Sequence, residues 1–392
     1  MTSHNSTSTR RPVAIGLLNT PPEIQLEIAE FVAANSVSND ALKVLSMTSR
    51  SLRSIAQSVL FKKFRINLER ELTSSIDDLL VNPRICASVR SLEVWASSPT
   101  GPHSPKEKIS QVTKLLPKMV ALRAVHFHHV KLTKGFMNAF LETAAKIPLR
   151  VHLSTNRYPS CLDMAPNTPL RISHLELGSS VTIDNPSLDF HQLMLRGSAT
   201  TLTELLIATP ANGLMALADI HLPALHSLNL FIMLPKKKGS HIALAAFLTP
   251  RRTIKKFELN RGAFLPDLPL SALPDLRELV VPLNAVKQLV PGRPVEVIEV
   301  SDSPIDEDWI GEEFAQSTAR VRTFRIDSPE LLPKIVRRIG TSFPYLESLQ
   351  LTVFRSVSGV FAPYRYIGSF SLRKSLKSSK LSLPSSASHT YT

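Results

Sequence analysis

The chain reads LLNTPPEIQLEIAEFVAANSVSNDALKVLSMTSRSLRSIAQSVLF from Leu17 to Phe61, and this stretch predicts three short helices. Thr20 and Glu23 can form a capping box around a first helix, with Pro21 at the first helical position, where no N–H is required. An apolar stripe on the helical period follows at Ile24, Ile28, Phe31 and Val32. Helices this short bury little among themselves, so we expect each apolar face to have a partner.

Two further helices are predicted in the same stretch. Asn39-Asp40 is a helix start, and apolar residues follow it at Leu42, Leu45 and Met47. The third helix is predicted to carry one apolar face, formed by Leu52, Ile55, Ala56, Val59 and Leu60. Together the three helices would form a small bundle at the start of the chain.

The order of these residues resembles an F-box. The resemblance rests on Leu17-Leu18, Pro21-Pro22-Glu23-Ile24, Ile28, Asp40-Ala41-Leu42 to Leu45, Ser49-Arg50-Ser51-Leu52-Arg53 and Leu60-Phe61. Thr20 stands where the family usually has Leu, and Leu52 where it often has Trp. The alternative is an unrelated helical bundle that caps the rest of the chain.

The resemblance implies a fold, a partner and a set of contact residues. Residues 13–66 would form a helical domain that docks on the Skp-type adaptor of a cullin-RING ubiquitin ligase. The residues expected to contact the adaptor are Leu18, Pro21, Pro22, Glu23, Ile24, Ile28, Leu42 and Leu45. Such proteins carry a substrate-binding domain behind the F-box.

Composition indicates a protein with a large core and no membrane segment. Of its 392 residues 43% are hydrophobic, and no run is long and apolar enough for a transmembrane helix. The two cysteines, Cys86 and Cys161, lie far apart, which favours a reducing cytoplasmic or nuclear compartment. The net charge of +14 is concentrated at the two ends of the chain, so nucleic acid is not the expected partner.

One pattern, apolar-x-x-apolar-x-apolar, recurs along the rest of the chain. Its copies are Val89-Leu92-Val94, Leu122-Val125-Phe127, a degraded copy at Val151-Leu153, Ile172-Leu175-Leu177, Leu202-Leu205-Ile207, Leu225-Leu228-Leu230, Ile254-Phe257-Leu259, Leu276-Leu279-Val281, Val295-Ile298-Val300, Val321-Phe324-Ile326 and Leu346-Leu349-Leu351. The last two apolar positions alternate, so each copy predicts a short strand with one buried face. Helical stretches are predicted between copies, at 136–147, 242–248 and 331–343.

These copies resemble an irregular leucine-rich-repeat solenoid of the α/β class. We expect residues 67–366 to form it, since no copy can bury its apolar face alone and neighbours must stack. Prolines that fall between copies favour this arrangement: Pro210, Pro223, Pro235, Pro282, Pro329 and Pro344. A closed two-layer α/β domain is the alternative. Residues 1–12 and the Ser-rich basic segment 367–392 are expected to be disordered.

The residue between the two inward positions of each copy should point outward. These residues are Glu93, His126, His152, Glu176, Leu206, Asn229, Glu258, Val280, Glu299, Arg325 and Gln350. Two positions further along the same face lie Trp95, His128 and Phe231, which are either binding anchors or residues folded under a loop. We expect a protein substrate to bind at Trp95, His126, His128, His152, Glu176, Phe231 and Glu258.

No motif in the sequence predicts catalysis, a cofactor or a metal. The chain has no Walker, dinucleotide-binding, nucleophile-elbow or HExxH spacing. His126, His128 and His152 lack a cysteine or clear carboxylate partner, so solvated histidines are expected and not a zinc site. The acidic residues from Asp302 to Glu313 lack EF-hand spacing, and Asp306 to Asp308 are expected to begin a helix around Trp309. Lys236-Lys237-Lys238 is expected in a solvated loop.

The function that the sequence predicts is that of a non-enzymatic substrate receptor. The F-box would bind the Skp-type adaptor, and through it the cullin, while the repeats bind a protein substrate. A leucine-rich-repeat scaffold without a ligase is the alternative. A third possibility is a nucleic-acid-associated protein that uses the basic segment at its end.

Overall fold

The protein combines α-helices with one largely parallel β-sheet. The computed structural model describes residues 20–35, 40–69, 73–96, 106–154, 158, 168–178, 185–233, 240–260, 265, 268–301, 316–328, 339–353 and 370–371. No helix among them is both long and apolar enough to cross a membrane.

The helices of these described ranges lie mostly before and between the strands. They are α1 (Pro22–Asn35), α2 (Asp40–Thr48), α3 (Arg50–Leu60), α4 (Thr73–Val81), α5 (Pro83–Ser88), α6 (Lys106–Leu115), α7 (Lys134–Lys146), α8 (Asn185–Gly197), α9 (Ala211–Ala216), α10 (Ser240–Leu248) and α11 (Leu283–Leu289). A short 3-10 turn, Leu116–Lys118, follows α6.

The strands form a single sheet. They are β1 (Lys63–Asn67), β2 (Ser91–Trp95), β3 (Ala124–His128), β4 (Leu149–Ser154), β5 (Ile172–Gly178), β6 (Glu204–Pro210), β7 (Ser227–Met233), β8 (Lys256–Leu259), β9 (Glu278–Val281), β10 (Val297–Val300), β11 (Thr323–Ser328), β12 (Ser348–Val353) and β13 (Phe370–Ser371). Their order in the sheet is their order in the chain, and β1 to β12 are parallel. Each strand therefore pairs with the next one along the chain.

The predicted repeats coincide with β2 to β12. The inward residues are buried: Leu92, Val94, Val125 and Phe127 have no exposed surface. They belong to one continuous core with apolar residues of α4, α6, α7, α8, α10 and α11. The degraded copy at Val151-Leu153 forms β4, whose register with β5 shifts between Leu149 and Arg150. The α/β class and the strand positions predicted from the sequence are confirmed.

The N-terminal helices have a small core of their own. Ala29, Leu42 and Val59 are buried together, one residue from each of α1, α2 and α3. Of the predicted apolar face of α3, Val59 belongs to this core and Ile55 and Leu60 pack against it, while Leu52 and Ala56 are also buried. Ser49 begins α3, and its hydroxyl accepts a hydrogen bond from the Leu52 N–H at 3.1 Å.

Helix α1 differs from the prediction in its start and its orientation. It begins at Pro22, because a residue that precedes a proline is disfavoured in the helical conformation, and Pro21 precedes Pro22. Its buried residues are Gln25 and Ala29. Of the predicted stripe, Ile24 (41%) and Phe31 (69%) are exposed and Ile28 is half-buried, whereas Val32 packs against the core of the three helices.

One part of the segment expected to be disordered forms a strand. Phe370–Ser371, within residues 367–392, pairs antiparallel with β12, Phe370 opposite Leu349 and Ser371 opposite Ser348. The edge strand β12 offers free backbone groups, which explains why even a Ser-rich segment can pair there. Other expectations lie outside the described residues: those for residues 1–12, 236–238, 302–313 and most of 331–343.

Candidate functional site

The sheet has one covered face and one face that is partly exposed. On the partly exposed face, each strand presents the residue that lies between its two buried apolar residues. The register pairs this residue with the equivalent residue of the neighbouring strand. We call this line the central row; its members are Arg65, Glu93, His126, His152, Glu176, Leu206, Asn229, Glu258, Val280, Glu299, Arg325 and Gln350. The predicted row is confirmed, and β1 adds Arg65 to it.

A second row runs beside it, two residues further along each strand. It contains Asn67, Trp95, His128, Ser154, Gly178, Ala208 and Phe231. Trp95 lies next to His128, but four strand steps of about 4.8 Å separate His128 from Phe231. Phe231 is 50% exposed, and Trp95 is half-buried. The aromatic side chains expected on this face are therefore present, but they do not form one cluster.

Three histidines of β3 and β4 do form a cluster. The ring centroids of His128 and His152 are 4.6 Å apart, those of His126 and His152 5.5 Å, and those of His126 and His128 6.3 Å. Among the described residues, no group of three or more His, Cys, Asp or Glu side chains is arranged to hold a metal ion. All three side chains are half-buried on the outward face of the sheet.

Burial and mutual proximity keep two of these histidines neutral. Burial lowers the pKa of His126 below its ordinary value, and the neighbouring His152 lowers it further, while Glu93 opposes the shift. The pKa of His128 is lowered by the same two causes, with Glu93 and Glu176 opposing. At neutral pH, His126 and His128 are therefore hydrogen-bonding groups without charge.

Carboxylates beside the histidines are already paired. Glu93 receives a hydrogen bond from Arg65 at 2.8 Å and lies 3.6 Å from Lys63. Burial would raise the pKa of Glu93, but these two cations outweigh it and hold that pKa below its ordinary value. Glu176 is paired with His152.

A depression of about 320 Å³ lies on this face between β3 and β8. Four of the residues predicted to bind substrate line it: His126, His152, Glu176 and Glu258. Trp95, His128 and Phe231 lie in the second row and do not line it. Leu206 contributes an apolar side chain to the lining of the depression. Lys256, whose Nζ lies 3.6 Å from Oε2 of Glu278, lies at one end of it. The depression is open to solvent and extends across several strands, so it can accept a peptide segment or a protein surface.

Sequence reasoning missed a set of arginines where the strands begin. Arg90 directly precedes β2, Arg123 directly precedes β3, and Arg150 lies at the start of β4; all three side chains are exposed. A signal was available, since Arg90 and Arg123 each directly follow the first apolar residue of their repeat copy. They do not form one row, because Arg90 and Arg123 directly precede the paired residues Ser91 and Ala124, whereas Arg150 lies opposite Ala124.

The residues predicted to bind an adaptor lie on α1 and α2, apart from Pro21, which directly precedes α1, and Leu18, which lies outside the described residues. Pro21, Pro22, Glu23 and Ile24 are exposed, whereas Ile28 and Leu45 are half-buried. Leu42 is 2% exposed within the core of the three helices, so its assignment as a contact residue is corrected. It is buried because it packs between Ala29 and Val59.

Exposed apolar side chains remain on these helices that the adaptor prediction did not include. On α1, Phe31 continues the line of Ile24 and Ile28, because residues four and three apart share a helix face. On α2, Val44 is 57% and Met47 73% exposed. We call Ile24, Ile28 and Phe31 the outer stripe.

Comparison with known proteins adds no relative. No family model matches the sequence, and no curated protein is similar to it. The structure itself provides two surfaces for interpretation. One is the outward apolar stripe of the helical bundle, and the other is the polar, partly exposed face of the parallel sheet. Two separate surfaces of this kind are typical of proteins that bind other proteins.

Proposed function

We propose that this protein is the substrate-receptor subunit of a cullin-RING ubiquitin ligase. The N-terminal helices would bind a Skp-type adaptor as an F-box does, and the exposed sheet face would bind a protein substrate. The observation that supports this most directly is the outer stripe, whose apolar side chains face outward instead of entering the core of the three helices.

The stripe has the size and the chemistry of a docking face. Large apolar side chains that line one helix face are unfavourable in water, and burying one fully contributes about 1.5–3 kcal/mol. Ile24 and Phe31 are more than one third exposed, while Ala29 of the same helix is 3% exposed. The helix thus has an inner face for its own bundle and an outer face for a partner.

The second half of the proposal concerns the fold behind the helices. We propose that the sheet and its helices form an irregular leucine-rich-repeat solenoid. Support comes from the agreement between strand order and chain order and from the repetition of two buried apolar residues in each strand from β1 to β11. Such an array holds its outward residues on a rigid floor, where they are free to specialise for binding.

The proposed receptor binds its partners and does not itself catalyse a reaction. It would hold the substrate near the transfer machinery and so raise the effective concentration of the substrate's lysines. No cofactor is needed for this role. As a ligase subunit the protein would work in the cytoplasm, the nucleus or both.

The test is co-purification of the full chain with a Skp-type adaptor and its cullin. The variant carries Ile24→Asp and Ile28→Asp together. We expect it to lose adaptor binding by about 100-fold or more, because two carboxylates would be buried in an apolar interface. Val81→Asp, on α4, is the matched control, since Val81 is an exposed apolar residue at 82%. Adaptor binding at wild-type strength by the double variant would refute the proposal.

A scaffold without a ligase remains the second candidate. The exposed sheet face could bind a partner in a ligase subunit and in a scaffold alike. The outer stripe favours the ligase subunit, because it provides a surface for the adaptor. A chain that captures protein partners through the sheet but never retains the adaptor would belong to the second class.

A further inference from the structure

We propose that the depression between β3 and β8 binds an extended protein segment that carries an acidic and a basic residue about six positions apart. This inference rests on the proposed function, because it names the class of substrate that the sheet face would hold. The observation that carries it is the distribution of unpaired charge in the depression: an arginine on β4 and a glutamate on β8 have no charged partner, whereas the other charged side chains of the lining do.

Neighbouring strands neutralise most of the charge in the depression. Glu176 of β5 is paired with His152 of β4. Oε1 of Glu204, on β6, lies 2.8 Å from Nε2 of His174, on β5. Lys256 lies 3.6 Å from a carboxylate oxygen of β9. An external ion gains less from these groups, because each already has a partner.

Two charges of opposite sign remain. Within the part of the chain that the structure describes, the side chains of Arg150 and Glu258 form no ion pair and no hydrogen bond. Glu258 is half-buried, and so is its neighbour in the central row, Asn229, whose side-chain amide also has no partner there. Burial removes part of the hydration of these two groups, so they gain from an external hydrogen-bond donor.

Each end of the depression therefore suits one kind of side chain. The guanidinium group of Arg150 donates in a planar fork that matches a carboxylate. The ammonium or guanidinium group of a bound lysine or arginine can donate to the carboxylate of Glu258 and to the amide oxygen of Asn229.

The strand register sets the distance between the two charges. Arg150 is linked to Lys256 through the paired residues of β5, β6 and β7, and neighbouring strands lie about 4.8 Å apart. Glu258 follows Lys256 by two residues and lies on the same face of β8, which places it about 20 Å from Arg150. An extended segment advances about 3.3 Å per residue, so residues about six positions apart match this distance and point to the same side.

The lining between the two ends disfavours a nucleic acid. It contains the half-buried, apolar Leu206 and the carboxylates of Glu176 and Glu204. A phosphate backbone that crossed the depression would meet these carboxylates and then Glu258, whereas a protein segment with one charge of each sign meets a complementary charge at both ends.

The test is a selection on the immobilised full chain from a phage-displayed library of random peptides of about twelve residues, which exceed the distance to be spanned. Wild type should enrich peptides with an acidic and a basic residue about six positions apart, in either order, because a segment can cross the sheet in either direction. Glu258→Lys should instead enrich peptides with two acidic residues at this spacing, and Arg150→Glu peptides with two basic residues.

The matched controls are Glu142→Lys on α7 and Arg196→Glu on α8. Both residues are exposed and neither lines the depression, so these variants make the same changes in net charge elsewhere. They should enrich the same peptides as wild type does. In fluorescence anisotropy, a labelled peptide enriched by wild type should bind Glu258→Lys about tenfold more weakly or worse, and Glu142→Lys as it binds wild type.

The inference is overturned if wild type enriches no peptide, if the enriched peptides lack the charged pair, or if the control variants change the preference as the depression variants do. Tighter binding of a single-stranded oligonucleotide than of the enriched peptide, lost in Arg150→Glu, would assign the depression to nucleic acid and also overturn it.

Adaptor co-purification with the same variants separates the two proposals. Glu258→Lys and Arg150→Glu should both retain the adaptor. A wild-type chain that enriches the charged pair but retains no adaptor would refute the ligase and leave the peptide site standing. A chain that retains the adaptor but enriches no such peptide would refute the peptide site alone.

Discussion

The hydroxyl of Ser51 donates a hydrogen bond to Oε1 of Gln25 at 3.2 Å, and this contact joins α3 to α1. Gln25 also donates from Nε2 to the carbonyl oxygen of Thr20 at 3.0 Å. The amide is 3% exposed, so a polar residue, and not the neighbouring Ile24, occupies the inner face of α1. The orientation of the outer stripe depends on this contact.

Gln25→Ala should destabilise the helical bundle by about 1–3 kcal/mol, because it removes two hydrogen bonds and leaves a buried space. The measurement is the free energy of unfolding in urea. Glu27→Ala changes an exposed residue of the same helix and should stay within about 0.5 kcal/mol of wild type. Equal stability of the two variants would show that Gln25 does not hold α1 in its orientation.

Leu228→Ala should cost about 2–5 kcal/mol of folding free energy, because Leu228 has no exposed surface in the core beneath β7. Its neighbour Asn229 faces outward in the central row, and Asn229→Ala should cost less than about 0.5 kcal/mol. Urea denaturation of both variants measures the difference. Similar costs at these two positions would contradict the alternation of β7.

Acid should destabilise the protein through the histidine cluster. The pKa values of His126 and His128 are lower in the folded chain than their ordinary value of 6.5, so the unfolded chain binds protons first as the pH falls. The stabilisation is complete above pH 6.5 and is lost as the pH falls through that value towards the folded pKa values.

The measurement is the urea midpoint at pH 7.5 and at pH 5.5, compared between wild type and the double variant His126→Gln, His128→Gln. Wild type should lose more of its stability on acidification than the double variant does. An identical loss in both would show that other groups cause the pH dependence.

Arg293 should tolerate no replacement, even by lysine. Its guanidinium is fully buried and donates to five carbonyl oxygens, those of Pro269, Ala272, Gln288, Leu289 and Pro291. Burial lowers its pKa, and the hydrogen bonds compensate for the lost hydration.

Arg293→Lys should cost about 3 kcal/mol or more, because an ammonium group has fewer donors and cannot reproduce the planar fork. The thermal unfolding midpoint of the variant measures the loss. Arg252→Lys, at an exposed position, is the control and should leave the midpoint unchanged. A midpoint equal to wild type for Arg293→Lys would show that the carbonyl contacts contribute little.

The strands and the central row were predictable because both depend on a short-range rule. Alternate residues of a strand point to opposite faces, so two apolar residues separated by one position define the buried face and the outward residue between them. The helix α7 was predictable for the same reason, since its apolar residues recur on the helical period.

The orientation of α1 could not be predicted in this way. The helical period predicted the apolar stripe, but it did not show which of its residues enter the bundle: Val32 packs against the core, whereas Ile24 and Phe31 are exposed. A bundle of three short helices has little interior, and that interior takes the small residue Ala29 and the hydrogen-bonded Gln25. Bulky Ile24 and Phe31 are left outside.

The sequence by itself determined the α/β class, the strand positions and the outward row, because these follow from hydrophobic periodicity within each repeat. The tertiary structure alone decided which charges are neutralised. Arg277 lies 3.0 Å from Glu296, which directly precedes the neighbouring strand β10, whereas the side chain of Arg123 forms no ion pair among the described residues. The apolar pattern fixes the register between neighbouring strands, but whether a charged side chain meets a partner depends on how both side chains extend from their strands, and the pattern does not record that.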